Sequence, residues 1–295
     1  MDRPALQRIL SEASRGIRLA CDEANRQAEA SGAAVCLLEN YSFIRAEIRE
    51  SQQSFSPGFC RKLAQQGRGF RIYEIVAAAV GETEGPLTAS HLVSLLAPER
   101  LRERANITLS LSELWAIAPL AKLVLIQELH VAVTNQPLDS PACVDDVESA
   151  ISRLRSVDRI QWNPFIEAIC VPDAILRRDP AGVYPQMEFD SRDAYRHVIE
   201  EVAESSGCGE EEVAQAAIHL AMEASNRDGE SRRSHVGYYL FAPGIEALLA
   251  SGPFRLSRLQ SIRRRLLGTP GFVYSGSVIS AALVLTAMFY FFVSP

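Results

Sequence analysis

Several residue patterns are missing from this 295-residue sequence, and each absence excludes a class of site. The six cysteines form no C-x-x-C pair, so neither a structural zinc site nor a compact disulfide framework is expected. The metal-binding pattern Asp-x-Asp does not occur, and the glycines of "GRGF" and "GCGEEE" lack the spacing of a nucleotide-binding loop. We therefore predict no cofactor and no metal. Most cysteines lie in apolar segments, as is typical of reduced thiols in the cytosol.

Acidic residues are absent from the last part of the chain. All 36 of them lie at or before Glu246, where 25 basic residues accompany them. Because this part of the chain has an excess of acidic residues, we do not expect it to bind nucleic acid. After Glu246 every charged residue is an arginine, and the position of these arginines before an apolar run predicts contact with anionic membrane lipids. The arginines are Arg255, Arg258, Arg263, Arg264 and Arg265.

Charge is absent altogether from residues 272–293, "FVYSGSVISAALVLTAMFYFFV". A helix needs about 20 apolar residues to cross the hydrocarbon core, so this run predicts a transmembrane helix, with a buried core helix as the alternative. Because the arginines precede the run, the positive-inside rule places the amino-terminal body in the cytoplasm. Only Ser294 and Pro295 follow, as expected for a tail-anchored protein or for a longer membrane protein cut after its first span.

The rest of the sequence has helical periodicity. Apolar residues recur with helical spacing in "VCLLENYSFIRAEIRE", which ends at "SFSPG", and in "FRIYEIVAAAV". Further helix starts are predicted from capping residues and from prolines that suit a first turn. These starts are Thr88, Ser110 with Glu113 in the spacing of a capping box, Ser140 before Pro141, and Asn163 before Pro164.

Alternating patterns typical of strands are almost missing, and "HVGYYLF" is the one extended candidate. The predicted fold class is therefore all-α: a multi-helix cytosolic bundle of about nine or ten helices, followed by one carboxyl-terminal transmembrane helix. We divide the chain into a helical extension at residues 1–34, an all-α cytosolic domain at 35–252, a basic amphipathic juxtamembrane segment at 253–271, and the transmembrane helix at 272–293.

Polar side chains concentrate in "MEFDSRDAYRHVIEEVAE", residues 187–204. Carboxylates here fit the cap and first turn of a helix. We expect ion pairs at the surface or between domains, since Asp193 precedes His197 by four residues and Arg196 precedes Glu200 by four. A recognition surface is the alternative, because catalysis lacks a third group and metal binding lacks further ligands. The candidate residues are Asp190, Arg192, Asp193, Tyr195, Arg196 and His197, none of them assigned a catalytic role.

A second candidate cluster surrounds His235 in "SRRSHVGYYLF". Two arginines and two tyrosines beside a histidine suit a phosphate, a sugar or a contact with another domain. A turn packed by its tyrosines onto the rest of the body is the alternative. The residues of this cluster are Arg232, Arg233, His235, Tyr238 and Tyr239.

Taken in order, "LLENYSFIRAEIRE", "RGFRIYEIVAAAV", "LSELWAIAPLAKLVLIQEL", "QWNPFIEAICVPDAILRRDPAGVYPQMEFDSRDAYRHVIEEVAESS" and "HVGYYLF" resemble the amino-terminal helical region of cyclic β-1,2-glucan synthases. The most specific block runs from Asp179 to Glu201. It is similar to the family's D-P-A-G-x-Y, M-x-F and T-R-D-x-Y-R sequence, with Ser191 in place of the usual threonine. The similarity covers most of residues 35–292.

The resemblance implies a bacterial inner-membrane enzyme that polymerises glucose from UDP-glucose, cyclises the glucan and delivers it to the periplasm. The family's catalytic domains lie downstream of the first span, so no catalytic residue carries over to this sequence. We therefore expect a non-catalytic accessory region whose partners are membrane lipids and the glycosyltransferase domain or subunit. A stand-alone, tail-anchored adaptor that binds another protein is the rival interpretation. A small hydrolase that uses Asp193 and His197 is a third.

Overall fold

The computed structural model describes residues 2–26, 32–66, 69–229, 231–241 and 243–256. The described part is mostly helical, and it falls into two compact units. The first unit holds the described residues up to Arg178 and Pro185–Arg196, and the second holds Asp179–Tyr184 and the described residues from His197 onward. The predicted transmembrane helix at 272–293 lies outside the described residues, as do Arg258, Arg263, Arg264 and Arg265.

The first unit combines long helices with short ones, and two short antiparallel strands pair between α3 and α4. The elements are α1 (Arg3–Ala24), α2 (Gly32–Ser54), α3 (Pro57–Lys62), β1 (Gln65–Gln66), β2 (Gly69–Phe70), α4 (Arg71–Gly81), α5 (Ala89–Leu96), α6 (Pro98–Ala105), α7 (Leu111–Asn135), α8 (Pro141–Asp158), α9 (Trp162–Ile169) and α10 (Val171–Leu176).

Helix α11 (Phe189–Ser206) begins in the first unit and continues into the second, which holds every helical residue after it. A 3-10 turn at Tyr184–Gln186 precedes it. The remaining elements are α12 (Glu210–Asp228), a 3-10 turn at Arg232–Ser234, α13 (Gly237–Leu240) and α14 (Ile245–Ala250).

Helix α7 is the central element of the first unit, where α1, α2, α4 and α8 pack against it. Its start confirms the predicted capping box, because Ser110 accepts a hydrogen bond from the Glu113 N–H and Glu113 accepts one from the Ser110 N–H. Its most apolar window has a mean hydropathy of 1.6 and is 67% buried in the protein. A core helix and a membrane-spanning helix share this composition, and the burial places α7 in the core of the first unit.

Other predicted helix starts are partly confirmed. The hydroxyls of Thr88 and Ser140 cap α5 and α8. Asn163 is not a cap, because α9 already begins at Trp162. Proline is tolerated throughout a first turn, where backbone N–H groups lack intrahelical partners, so Pro164 does not mark the helix boundary.

Helix α9 ends at Ile169 and α10 begins at Val171, since Pro172 cannot donate the hydrogen bond that would continue α9. One further expectation is wrong. "HVGYYLF" is not a strand: Val236, Tyr239 and Leu240 are its buried apolar residues, with the spacing of the short helix α13. The described residues contain fourteen α-helices rather than nine or ten, because helices of four to six residues leave little periodicity in the sequence.

Candidate functional site

Arg196 is the most deeply buried of the candidate residues in the stretch 187–204, with 1% of its side chain exposed. Its guanidinium donates to Asp173 Oδ1 on α10 at 2.8 Å and to Asp193 Oδ1 at 3.2 and 3.1 Å. The ring of Phe189 lies under the guanidinium, 4.7 Å from centroid to Cζ. Arg196 thus ties the first two turns of α11 to α10, and it is held by charge and by an aromatic face together.

Further arginines extend this cluster within the first unit. Arg192 donates to Glu167 Oε1 from Nε at 2.9 Å and from Nη2 at 2.6 Å. Arg177 bridges the two acids, with Asp173 Oδ2 at 2.6 Å from Nε and Glu167 Oε2 at 3.0 Å from Nη2. We call these six residues the Arg196 cluster: Glu167, Asp173, Arg177, Arg192, Asp193 and Arg196. Positive and negative groups alternate in it and balance in number, as a buried ionic cluster requires.

The contacts of this region add partners that helical spacing did not predict. Arg196 binds Asp173 on α10 as well as Asp193 on its own helix, and it does so as a buried side chain rather than at the surface. His197 Nδ1 lies 3.1 Å from Glu200 Oε2, three residues later on α11. A buried guanidinium needs such a carboxylate beside it because an unpaired charge there would be costly.

The other candidates in this stretch lie nearer the solvent. Asp190 lies in the first turn of α11 and is exposed, where its charge favours the helix N-terminus. Tyr195 is half-buried. Arg192, Asp193 and Arg196, three of the six predicted residues, thus join one ionic cluster.

Asp179 organises the second unit. Its carboxylate accepts hydrogen bonds from the backbone N–H groups of Val183 and Tyr184, both at 3.1 Å, and of Val236 at 2.9 Å. His235 Nδ1 lies 2.9 Å from Asp179 Oδ2. The side chain of Asp179 is fully buried, whereas that of His235 is 22% exposed. Both oxygens of one carboxylate thus hold the turn "DPAGVY" against the segment that begins at Ser231.

The charge state of Asp179 follows from these contacts. Burial alone would raise the pKa of Asp179, but the hydrogen bonds from His235, Val236 and Tyr184 outweigh burial, and the pKa lies below its ordinary value. The carboxylate therefore stays ionised at neutral pH. Because its acceptor sites are directed at backbone N–H groups, it serves as an anchor for two segments of the second unit.

The second predicted cluster is brought together in part. Tyr239 is buried and meets Tyr238 edge to face, 5.2 Å between ring centroids. Arg233 lies 6.0 Å from the centroid of Tyr238, and Arg232 is exposed. Sequence reasoning missed the main partner of His235, which is Asp179. The available signal was an aspartate at the head of Pro-Ala-Gly, a position from which its side chain bonds backbone N–H groups further along a turn.

A third polar cluster was not predicted and surrounds Lys122 of α7. Its ammonium lies 2.6 Å from Glu47, 2.7 Å from Asp158 and 3.3 Å from Glu50. Burial alone would lower the pKa of Lys122, but the carboxylates of Asp158 and Glu47 raise it above its ordinary value. Burial raises the pKa of Glu47 despite the opposing effect of Lys122, and the negative charges of Asp158 and Glu50 raise it further. Lys122 joins α2, α7 and α8 in the core of the first unit.

These clusters fix helices and turns, and their buried groups bind one another. Within the described ranges, no three His, Cys, Asp or Glu side chains gather in a way that would hold a metal ion. The juxtamembrane candidate Arg255 is exposed, and its backbone N–H donates to Ser206 Oγ at 2.7 Å. In both units, buried charged side chains hold helices and turns in position.

Comparison with known proteins gives one distant relationship. No family model matches the chain. It is 28% identical over 173 residues to the cyclic beta-(1,2)-glucan synthase NdvB of Rhizobium meliloti, a match that covers 58% of this chain and 6% of that protein. The chain therefore corresponds to a small part of its relative's length. This sequence is distantly related to a stretch of a cyclic β-1,2-glucan synthase.

Proposed function

We propose that this chain is a non-catalytic helical scaffold region of a cyclic β-1,2-glucan synthase-like inner-membrane glycosyltransferase. Glucan synthesis from UDP-glucose is carried out by other domains, which the scaffold contacts and positions. The observation that carries the proposal is the 28% identity over 173 residues to a glucan synthase.

The buried polar clusters favour scaffolding over chemistry. In the block from Asp179 to Glu201, Arg196 and Asp179 are the most buried charged groups, and their contacts hold helices and turns. A general acid or base has to reach a substrate proton, whereas Asp179 binds three backbone N–H groups. The role consistent with such contacts is to present a rigid helical surface to a partner.

Membrane attachment forms the second part of the proposal. The run at 272–293 crosses the inner membrane, and Arg255, Arg258, Arg263, Arg264 and Arg265 keep the body on the cytoplasmic side and contact anionic lipids. The acidic body, separated from these lipids by charge repulsion, is then available to the glycosyltransferase domain or subunit.

Copurification tests the contact. The tagged full chain is expressed in membranes with the catalytic portion of the relative, solubilised in uncharged detergent and captured through the tag. We expect the catalytic portion to be retained in a defined ratio, and retention to be lost when Arg196→Met disrupts α11. Asp190→Asn, at an exposed position of the same helix, is the matched control and should keep the partner. If the wild-type chain retains no catalytic portion, the scaffold role is wrong, and a self-contained adaptor for another protein replaces it.

A further inference from the structure

We propose that the cavity between α1 and α2 is a binding site for the phosphate group of a small soluble ester. The cavity has a volume of about 350 Å³. Four side chains that carry hydrogen-bond donors line it: Ser14 and Arg18 from α1, and Tyr41 and Arg45 from α2. Ile17 and Ile44, both fully buried, form its apolar floor.

The helical repeat explains why these donors meet. Ser14 and Arg18 are four residues apart on α1, and Tyr41 and Arg45 are four apart on α2. Residues four apart lie on one face of a helix, and α1 packs along α2 in the first unit. Each helix thus contributes one hydroxyl and one guanidinium to the same cavity.

The donors are not used by the protein itself. Neither Arg18 nor Arg45 makes an ion pair or side-chain hydrogen bond with any described residue, and the hydroxyls of Ser14 and Tyr41 make no hydrogen bond there. No carboxylate lines the cavity. Arg18 and Arg45 are exposed, whereas Arg71, Arg153 and Arg196 of the same unit are more buried and each bind a carboxylate. In a chain with an excess of acidic groups, two guanidiniums remain unneutralised around one hollow.

Phosphate is the group that matches this set. A guanidinium binds two phosphate oxygens with parallel N–H donors. Two guanidiniums and two hydroxyls together offer donors for more acceptor oxygens than a carboxylate has. The isoleucine floor suits a carbon ring or chain next to the phosphate. A volume of about 350 Å³ is within the range of small-molecule pockets. The site thus fits a phosphate ester with an apolar side, and its assignment does not depend on a role in glucan synthesis.

The test measures binding to the full chain in uncharged detergent by calorimetry at low ionic strength. The probes are phenyl phosphate, inorganic phosphate and benzoate. Phenyl phosphate should bind more tightly than inorganic phosphate, which lacks the ring, and than benzoate, which lacks the third oxygen. Arg18→Gln and Arg45→Gln should each weaken phenyl phosphate binding by about tenfold or more, the usual effect of losing a hydrogen bond to a charged group.

Matched controls separate the cavity from general charge. Arg8→Gln and Arg49→Gln remove arginines of α1 and α2 that are exposed like Arg18 and Arg45 but lie outside the cavity, and they should leave the affinity unchanged. Thermal unfolding of all four variants should coincide with that of the wild type. No binding of phenyl phosphate, or equal losses in the cavity variants and the controls, would overturn the proposal.

A short-chain phosphatidylglycerol below its micelle concentration distinguishes the source of the phosphate. Weaker binding of this lipid than of phenyl phosphate assigns the site to a soluble ester, as proposed. Tighter binding with the same dependence on Arg18 and Arg45 assigns the phosphate to a lipid headgroup and overturns the soluble source.

Discussion

Asp179 and His235 are 56 residues apart in the chain, and their side chains lie 2.9 Å apart, Oδ2 to Nδ1. The same carboxylate accepts hydrogen bonds from three backbone N–H groups, those of Val183, Tyr184 and Val236. A turn that resembles the family's D-P-A-G-x-Y sequence is thereby fixed to the segment "SHVGYY" in the second unit. The aspartate of this turn thus has a structural role.

Replacing Asp179 with asparagine should destabilise the second unit. The amide keeps one acceptor oxygen but places an NH₂ group against a backbone donor, and this costs about 1 to 3 kcal/mol of local stability. Amide hydrogen exchange should speed up at Tyr184 and Val236, whose N–H groups bind the carboxylate. Asp190→Asn at an exposed site is the control, and equal exchange in the two variants would contradict the anchor role.

The stabilising effect of Asp179 should depend on pH in one direction. Its pKa in the folded chain is below the ordinary value, so folding favours the ionised form. The contribution is complete above the ordinary aspartate pKa of about 4 and is lost as pH falls through the lower folded pKa. The stability difference between wild type and Asp179→Asn should therefore be constant from neutral pH down to this range and then shrink. A difference that grows on acidification would show that the carboxylate is not held ionised.

Arg196→Met should destabilise the first unit by about 3 to 5 kcal/mol, because Asp173 and Asp193 lose a buried cation. Thermal unfolding of the full chain measures the loss. The double variant Asp173→Asn with Arg196→Met should recover part of it, since the uncompensated charge is removed with its partner. Arg178→Met, an exposed arginine next to Arg177, should unfold like the wild type; a similar loss there would mean that general charge, not the Arg196 cluster, is responsible.

Gly16→Ala should weaken the packing of α1 on α7. A Cβ atom at Gly16 would overlap the ring of His130 on α7, so the ring or the helix has to move, at about 1 to 3 kcal/mol. Gly81→Ala is the control, because no atom lies near its Cβ position and alanine is the better helix former. Urea denaturation should order the variants Gly16→Ala, wild type, Gly81→Ala by rising stability. His130→Ala in the Gly16→Ala background should restore part of the loss.

Local features of this structure were predictable and long-range ones were not. The capping box of Ser110 and Glu113 is encoded within four residues, and the structure confirms it. The contacts of Arg196 with Asp173 and of Asp179 with His235 join residues 23 and 56 positions apart, and sequence spacing carries no signal for such pairs. Helical spacing pairs Arg196 only with residues of its own helix, so it cannot include a buried carboxylate on another helix.

The extended interpretation of "HVGYYLF" was wrong for a related reason. Aromatic and β-branched residues favour strands only where a neighbouring strand can pair with them. Among the described residues this segment has no such neighbour, and its backbone bonds locally, as in Tyr239 N–H to the Val236 carbonyl. The anchor that holds this helical turn, Asp179, lies outside the segment.

The most direct test of the scaffold role is the transfer of glucose from labelled UDP-glucose into membrane-associated glucan. Three membranes are compared: one with this chain alone, one with the catalytic portion of the relative, and one with both. The account predicts no incorporation by this chain alone and a faster initial rate with both than with the catalytic portion alone. Incorporation by this chain alone, or an unchanged rate when both are present, would contradict it.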